Sequence, residues 1–200
     1  MAALGDRFNR MMGKTRFVVS RLFLHLGGDQ VAPLLGILNQ AARDVMDAEG
    51  DLPVTGEALV EVCQGLLQYD TYWLSGSNEG DVVWSEGEAA DYFNELFTDS
   101  GQRYLSQPDF SQPLDESEYL SLPITHNLIV MITIVSEGEV PELETDLASL
   151  EAMNRGLKTL INLHYQHRLR GIQVHFSPAV LGDELTNDQL LENFPELIPL

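Results

Sequence analysis

The chain has 200 residues, of which 44% are hydrophobic, and it carries a formal net charge of −20 at pH 7. A chain of this length and composition forms one domain and buries enough apolar surface to fold without a metal or a disulfide. So acidic a body repels the phosphates of nucleic acid, and the composition therefore excludes nucleic-acid binding. The single cysteine, Cys63, excludes an intramolecular disulfide and is typical of a reducing compartment.

No membrane-spanning segment is predicted. The longest strongly apolar run, Leu128 to Val135, has eight residues, whereas a transmembrane helix needs roughly 20. Basic residues interrupt the start of the chain, and no small-residue cleavage site follows an apolar stretch there. We therefore expect a cytoplasmic protein.

The charge is distributed unevenly along the chain. Residues 1–25 hold five bases and one acid, a net charge of +4, and the rest holds six bases and thirty acids, a net charge of −24. Apolar residues from about Asp6 to Leu26 recur at helical spacing, and the pattern predicts a basic amphipathic helix or arm over residues 1–28. This arm would dock on the acidic body, on a partner or on an anionic membrane. Its separate basic stripe supplies candidate interaction residues: Arg7, Arg10, Lys14 and Arg21.

Three more helices are predicted before residue 105. Asp29 is a candidate N-cap for the first, and Pro33 falls in its first turn, where the missing N–H costs little. The second runs from about Thr55 to Tyr72. The third begins after Ser85, because Ser85 and Glu88 have the spacing of a capping box.

Gly76 to Gly80 is predicted to be a loop surrounded by aromatic residues. Aromatic side chains are enriched at interface hot spots, although packing at the edge of the core is the alternative role. The candidate interaction residues here are Tyr69, Tyr72, Trp73 and Trp84.

The second half of the chain predicts a strand, a helix and a second strand. Leu128–Val135 is typical of a strand buried on both faces, and Ile172–Phe176 alternates as a half-buried strand does. The intervening helix, about Thr145 to His167, favours a right-handed crossover with parallel strands. Gly80–Trp84 is a candidate third strand, and the capping-box residues Thr186 and Gln189 begin a last short helix.

The expected fold class is therefore α+β, with a helical N-terminal half followed by a small βαβ(α) unit whose short sheet packs on helices. Residues 29–105 are helical, residues 106–123 form an irregular, proline-containing link, and residues 124–200 form the βαβα unit. Together residues 29–200 make a single domain, to which the arm of residues 1–28 is attached.

The last 32 residues, Leu169 to Leu200, contain several motifs in a fixed order. A V-x-V-aromatic-T-P strand corresponds to Ile172–Pro178, D-x-L-[ST]-x-[DE]-x-L-L to Asp183–Leu191, and aromatic-P-x-L-x-P-L to Phe194–Leu200. Together with the upstream segment LLQYDTYWL, this order resembles a family of unknown function from cyanobacteria and chloroplasts. Its plant members include proteins linked to acclimation to fluctuating light.

The resemblance covers about residues 30–200, with two departures. This chain has Phe176-Ser177-Pro178 where the family usually has tryptophan before T-P, and it lacks the glycine-rich, membrane-spanning part that many members carry. The resemblance implies a short soluble member and a role in the photosynthetic apparatus, with peripheral contact at the thylakoid membrane left open. It supplies no catalytic residues.

The residues themselves predict no catalytic, cofactor or metal site. His164 and His167 share a helical face at a workable ligand spacing, but His164 continues an apolar stripe and His175 lies on the next strand. Cys63 lies among leucines, which favours a buried thiol over a nucleophile.

The hypothesis that these observations favour is a non-enzymatic regulatory or assembly protein of the photosynthetic apparatus, which binds a protein partner. One alternative is a peripheral membrane protein anchored by the N-terminal helix, and another is an unrecognised enzyme or ligand-binding protein. Formation of a homodimer is left open.

Overall fold

A single antiparallel sheet organises the computed structural model of the chain, which describes residues 9, 12–28, 31–103, 127–179, 183 and 185–200. The sheet has the strand order β4-β3-β1-β2-β5, and every neighbouring pair is antiparallel. Its strands are β1 (Phe17–Gly27), β2 (Trp73–Val83), β3 (Asn127–Glu137), β4 (Leu169–Ser177) and β5 (Ile198–Pro199).

Helices cover both faces of this sheet, so that the described residues form three layers. The α-helices are α1 (Ala32–Asp47), α2 (Leu52–Gln68), α3 (Glu86–Gln102), α4 (Leu150–Tyr165) and α5 (Asn187–Asn193). Helices α1, α2 and α4 lie on one face, and α3 and α5 lie on the other. In the part of the chain described here, no helix has the length and apolar character needed to cross a bilayer.

One face of the sheet forms the main hydrophobic core. Along β1 it carries even-numbered residues, because successive side chains of a strand point to opposite faces. These side chains pack with those of β3 and β4 against α1, α2 and α4. Members of this core include Leu22, Leu24, Leu26, Leu34, Leu59, Leu66, Val130, Ile132, Met153 and Leu160.

The opposite face holds two smaller apolar clusters with a polar row between them. The first cluster joins Phe17 and Val19 to α3. The second joins Phe23 to Phe194 and to the region around α5. Arg21 projects from β1 between the two clusters, on the same face as Val19 and Phe23.

The predicted N-terminal amphipathic helix is wrong over Phe17–Gly27, which forms β1. Every residue from Phe17 to Leu26 is buried, and these side chains are divided between the two faces of the sheet. A strand buried on both faces has a nearly continuous apolar run, which helical periodicity does not distinguish from a buried helix. This segment is therefore the centre of the domain and not an attached arm.

The predicted parallel βαβ unit is also wrong. β3 and β4 are neighbours in the sheet, but they are antiparallel, because β4 begins beside the end of β3, where Ser136 pairs with Leu169. After β3 the chain passes beside β2, where Asn78 Nδ2 donates to Thr145 O and Leu147 N donates to Asn78 Oδ1. Helix α4 then returns the chain to the start of β4. The connecting segment and α4 run in opposite directions along the sheet. The chain therefore starts β4 at the end of the sheet where β3 stopped, and the two strands are antiparallel.

The prediction of an entirely helical N-terminal half is wrong, and so is the predicted loop at Gly76–Gly80. Both β1 and β2 lie in that half, and the whole Gly76–Gly80 segment belongs to β2. Its glycines permit close packing of strands instead of a turn. A Cβ atom at Gly80 would lie 2.3 Å from Val19 O on β1, so only glycine fits at this position.

The N-caps predicted for two helices are confirmed. The Ser85 hydroxyl accepts from Glu88 N at 3.2 Å at the start of α3. Thr186 and Gln189 form a reciprocal capping box at α5. The predicted cap Asp29 and the predicted link of residues 106–123 lie outside the described residues.

The close contact at Gly80 predicts a stability effect. We expect Gly80→Ala to lower the free energy of unfolding by about 1–3 kcal/mol, because β2 must move away from Val19. Gly87→Ala in α3 is the matched control, since no atom lies within 4 Å of its Cβ position and alanine favours the helix. Urea unfolding measures both variants, and equal stabilities would contradict the close approach of β1 and β2.

Candidate functional site

A buried arginine lies in the centre of the sheet. Arg21 is 2% exposed and belongs to a row of polar residues that runs across four strands. In this row Arg21 pairs with Glu79 on β2 and with Thr133 on β3, and Thr133 pairs with Gln173 on β4. An ionised side chain this deeply buried requires compensating charges and hydrogen bonds.

Helix α3 and strand β2 supply that compensation. Arg21 Nε donates to Glu79 Oε1 at 2.7 Å, and Arg21 Nη2 forms a second contact with the same carboxylate. Arg21 Nη1 donates to Leu96 O at 2.9 Å and to Ser100 Oγ at 2.8 Å. Asp99 Oδ2 lies 2.7 Å from Arg21 Nη2. One guanidinium group therefore joins the centre of the sheet to two turns of α3.

A second arginine extends the network to the C-terminal segment. Asp99 Oδ2 is also 2.9 Å from Arg103 Nε, and Arg103 pairs with Glu196. The guanidinium carbons of Arg21 and Arg103 lie 4.7 Å and 5.6 Å from the centre of the Phe23 ring. The ring thus has two cation–π neighbours, an arrangement that an electron-rich aromatic face stabilises.

Above this network the surface is acidic. Glu79 and Asp99 turn partly outward, with side chains that are 44% and 40% exposed. The exposed carboxylates of α3 and of the outer part of β2 continue the surface, which we call the acidic face: Glu79, Asp81, Glu86, Glu88, Asp91, Glu95 and Asp99. Burial raises the pKa of Tyr92 within this face, and the carboxylates of Glu79, Asp81 and Glu95 raise it further.

A histidine network lies further along β1. His25 Nδ1 is 3.0 Å from Ser75 Oγ, and His25 Nε2 is 3.0 Å from Asn127 Oδ1. Asn127 Nδ2 donates in turn to Leu185 O at 2.8 Å. Burial lowers the pKa of His25, against an opposing effect of the Asn127 hydrogen bond, so the imidazole is neutral at pH 7. The network joins β1, β2 and β3 to the segment before α5.

The structure describes two of the four predicted basic residues, and it places them in different surroundings. Arg21 is buried in the sheet, Lys14 is exposed ahead of β1, and Arg7 and Arg10 lie outside the described residues. Arg21 therefore does not belong to the predicted basic stripe of a helix.

The predicted aromatic residues do not surround a loop. Trp73 is buried at the start of β2, where its Nε1 donates to Leu66 O at 3.1 Å. Tyr69 and Tyr72 lie beside it with ring centres 6.0 Å apart. Trp84 is half-buried just beyond the other end of β2, about 35 Å along an extended strand from Trp73.

The candidate metal and nucleophilic residues lie apart. His164 Nε2 is 3.0 Å from Glu57 Oε1 in the helical layer of α2 and α4, whereas the His175 ring is 5.2 Å from that of Phe97 on the opposite face. Burial raises the pKa of the Cys63 thiol. Among the described residues, no three side chains of histidine, cysteine, aspartate or glutamate converge as a metal-binding group.

Sequence reasoning missed Glu79, Asp99, Ser100 and Arg103 as members of one network. Their convergence depends on strand register and on how α3 crosses the sheet, which no local pattern records. The sequence did contain a signal against the helix, because Phe17 and Val18 lie outside its apolar sector. Arg21 interrupts the same apolar run, which is a signal for a buried charge that needs partners.

The fold and the site together define a class: a three-layered α+β protein with a neutralised arginine at the centre of its sheet and an acidic outer face. The chain belongs to a family whose model, described as "Protein of unknown function (DUF1517)", matches residues 16–200. The match begins one residue before β1, in agreement with the place of that strand inside the domain. No curated protein and no solved structure matches the chain.

The Arg21 network predicts a large stability effect. We expect Arg21→Met to lower the free energy of unfolding by about 3 kcal/mol, because it removes one partner of a buried ion-pair network. Arg155→Met is the control, since the Arg155–Glu151 pair is largely exposed and should cost less than about 1 kcal/mol. Urea denaturation followed by circular dichroism compares them. Equal losses would show that Arg21 does not hold α3 on the sheet.

The environment of His175 predicts a pH effect. Burial, and secondarily the charge of Arg21, lowers the pKa of His175 below its ordinary value of 6.5. As the pH falls through 6.5 toward the lower folded pKa, the unfolded state binds the proton first, and stability is lost. We therefore expect the free energy of unfolding to fall less steeply from pH 7 to pH 5 in His175→Gln than in the wild type.

The control variant is His167→Asn, which removes an exposed histidine just beyond the end of α4. Urea unfolding of the wild type and of both variants at pH 7, 6 and 5 gives the three slopes, and the slope of His175→Gln should be the smallest. Parallel curves for the wild type and His175→Gln would contradict the link between His175 burial and stability.

Proposed function

We propose that this protein is a non-enzymatic regulatory or assembly protein that binds a basic protein partner through its acidic face. The observation that carries the proposal is that the basic residues near the acidic face are already paired or buried. Between Asp44 and Glu151 the sequence contains one base, Arg103, and this residue pairs with Asp99 and Glu196. Arg21 is buried below the face. Among the residues that the structure describes, the carboxylates of the acidic face other than Glu79 and Asp99 are therefore uncompensated.

An uncompensated acidic surface acts mainly through specificity and rate of association. Complementary charge steers a basic partner toward it and repels acidic proteins, including further copies of this chain. The acidic face is also carried by rigid elements, since the Arg21 network fixes α3 on the sheet. A preordered surface loses less entropy when a partner binds.

The resemblance to cyanobacterial and chloroplast proteins supports a place for this partner in the photosynthetic apparatus. We also propose a cytoplasmic location, as the sequence itself predicts. The alternative of a membrane anchor loses its main support, because Val19, Leu22, Phe23 and Leu26 are buried in the sheet and are not offered to lipid.

Neutralising the acidic face tests the proposal. Asp91→Asn/Glu95→Gln/Glu88→Gln should reduce recovery of the partner about tenfold, because three rim charges that attract it are removed. The measurement of recovery is affinity purification of the tagged chain from native cells without cross-linking, followed by mass spectrometry. Carbodiimide cross-linking of the wild-type chain, which joins carboxylates to nearby lysines, then locates the contact.

The matched control removes three exposed acids from α1 and α2 on the far side of the sheet: Asp44→Asn/Asp47→Asn/Glu61→Gln. This variant should retain the partner at the wild-type level. Equal recovery with both variants, or cross-links that map to α1 and α2, would refute a role of the acidic face.

A further inference from the structure

We infer that the basic partner binds as an extended strand added to the outer edge of β2, with its basic side chains against Glu79 and Asp81. This inference rests on the proposed function and specifies how the partner is bound. The occupant is a segment of another protein with β-strand character and alternating basic residues. Addition of a strand to an open sheet edge is a general mode of peptide recognition.

Among the described residues, the outer edge of β2 is unpaired over about half its length. β1 pairs with β2 from Trp73 to Val83 on the inner side. On the outer side, β5 pairs only with Ser75 and Gly76, and the Asn78 side chain holds the segment of residues 145–147. Within the described ranges, no strand pairs with the outer edge of residues 79–83.

The backbone there presents its hydrogen-bonding groups outward. Val82 N donates to the carboxylate of Asp81 at 2.7 Å, so this N–H points away from β1. Alternate residues of a strand direct their N–H and C=O groups to the same side, and Gly80 therefore presents its groups outward as well. Gly80 is exposed and has no side chain to screen them.

The Asp81 carboxylate occupies the position that a carbonyl of a neighbouring strand would take. A charged residue of this kind protects a sheet edge from indiscriminate pairing. A basic strand is the occupant that overcomes this protection, because its own carbonyl replaces the carboxylate at Val82 N–H while its side chain pairs with the released charge. A second copy of the chain would instead place Glu79 and Asp81 against like charges.

The test uses a defined probe, an end-capped heptapeptide of alternating lysine and valine. Its control is the same peptide with every backbone amide methylated, which keeps the charge and removes the donors that a strand requires. At saturating probe, amide exchange at Gly80 and Val82, measured by NMR, should slow about tenfold or more. The methylated peptide should produce no such protection and should bind more weakly in calorimetry.

Val82→Pro gives a second measurement, because proline is tolerated on an edge strand and removes the outward N–H. This variant should lose affinity for the probe while circular dichroism shows an unchanged fold. The exchange measurement on the wild type stands even if the variant does not fold.

Three results would overturn the inference: no binding of the lysine–valine probe, equal affinity for the two peptides, or protection at β4 without protection at Gly80 and Val82. None of them touches the proposed function, which depends on recovery of the partner with the acidic-face variant. Failure of that experiment, with protection of Gly80 and Val82 intact, would instead remove the proposed partner and leave the open edge as a binding site for basic strands.

Discussion

Strand β1 is bonded along both of its edges, to β2 from Phe17 to Leu26 and to β3 from Phe17 to Gly27. Its two faces contribute to all three apolar clusters, so each layer of helices packs against it. A strand in this position cannot leave the sheet without separating β2 from β3. The rest of the architecture therefore depends on the placement of these eleven residues.

The buried guanidinium of Arg21 then fixes the second layer. Burying a charge costs several kcal/mol unless partners compensate it, and the partners come from α3 and β2. The requirement sets where α3 crosses the sheet, and it brings Glu79 and Asp99 to the surface beside the other carboxylates of the acidic face. The same residues thus link the stability of the sheet to the surface on which the proposed function rests. Arg103 carries this link on to Glu196 and the C-terminal segment.

Local signals predicted the parts of this fold that depend on local interactions. The N-caps at Ser85 and Thr186 are short-range hydrogen bonds, and residue types reveal them. β1 was beyond such signals, because its apolar run is compatible with either a buried helix or a buried strand. In β2, glycine and serine indicated a turn, whereas Gly80 is required by a contact with Val19 that lies 61 residues away in the sequence. The Arg21 network is non-local in the same way, since it requires the register of β1 with β2 and the position of α3.

Native-state hydrogen exchange of the β1 amides tests the central position of this strand most directly. If β1 holds the sheet together, the amides of Val19, Leu22 and Leu24 exchange only through global unfolding, and their opening free energy equals that from urea denaturation. Measurement by NMR over a series of low urea concentrations should give these amides the full denaturant dependence of the global transition. Fast, urea-independent exchange in β1, while the amides of β3 stay protected, would contradict the account and restore the view of this segment as an attached arm.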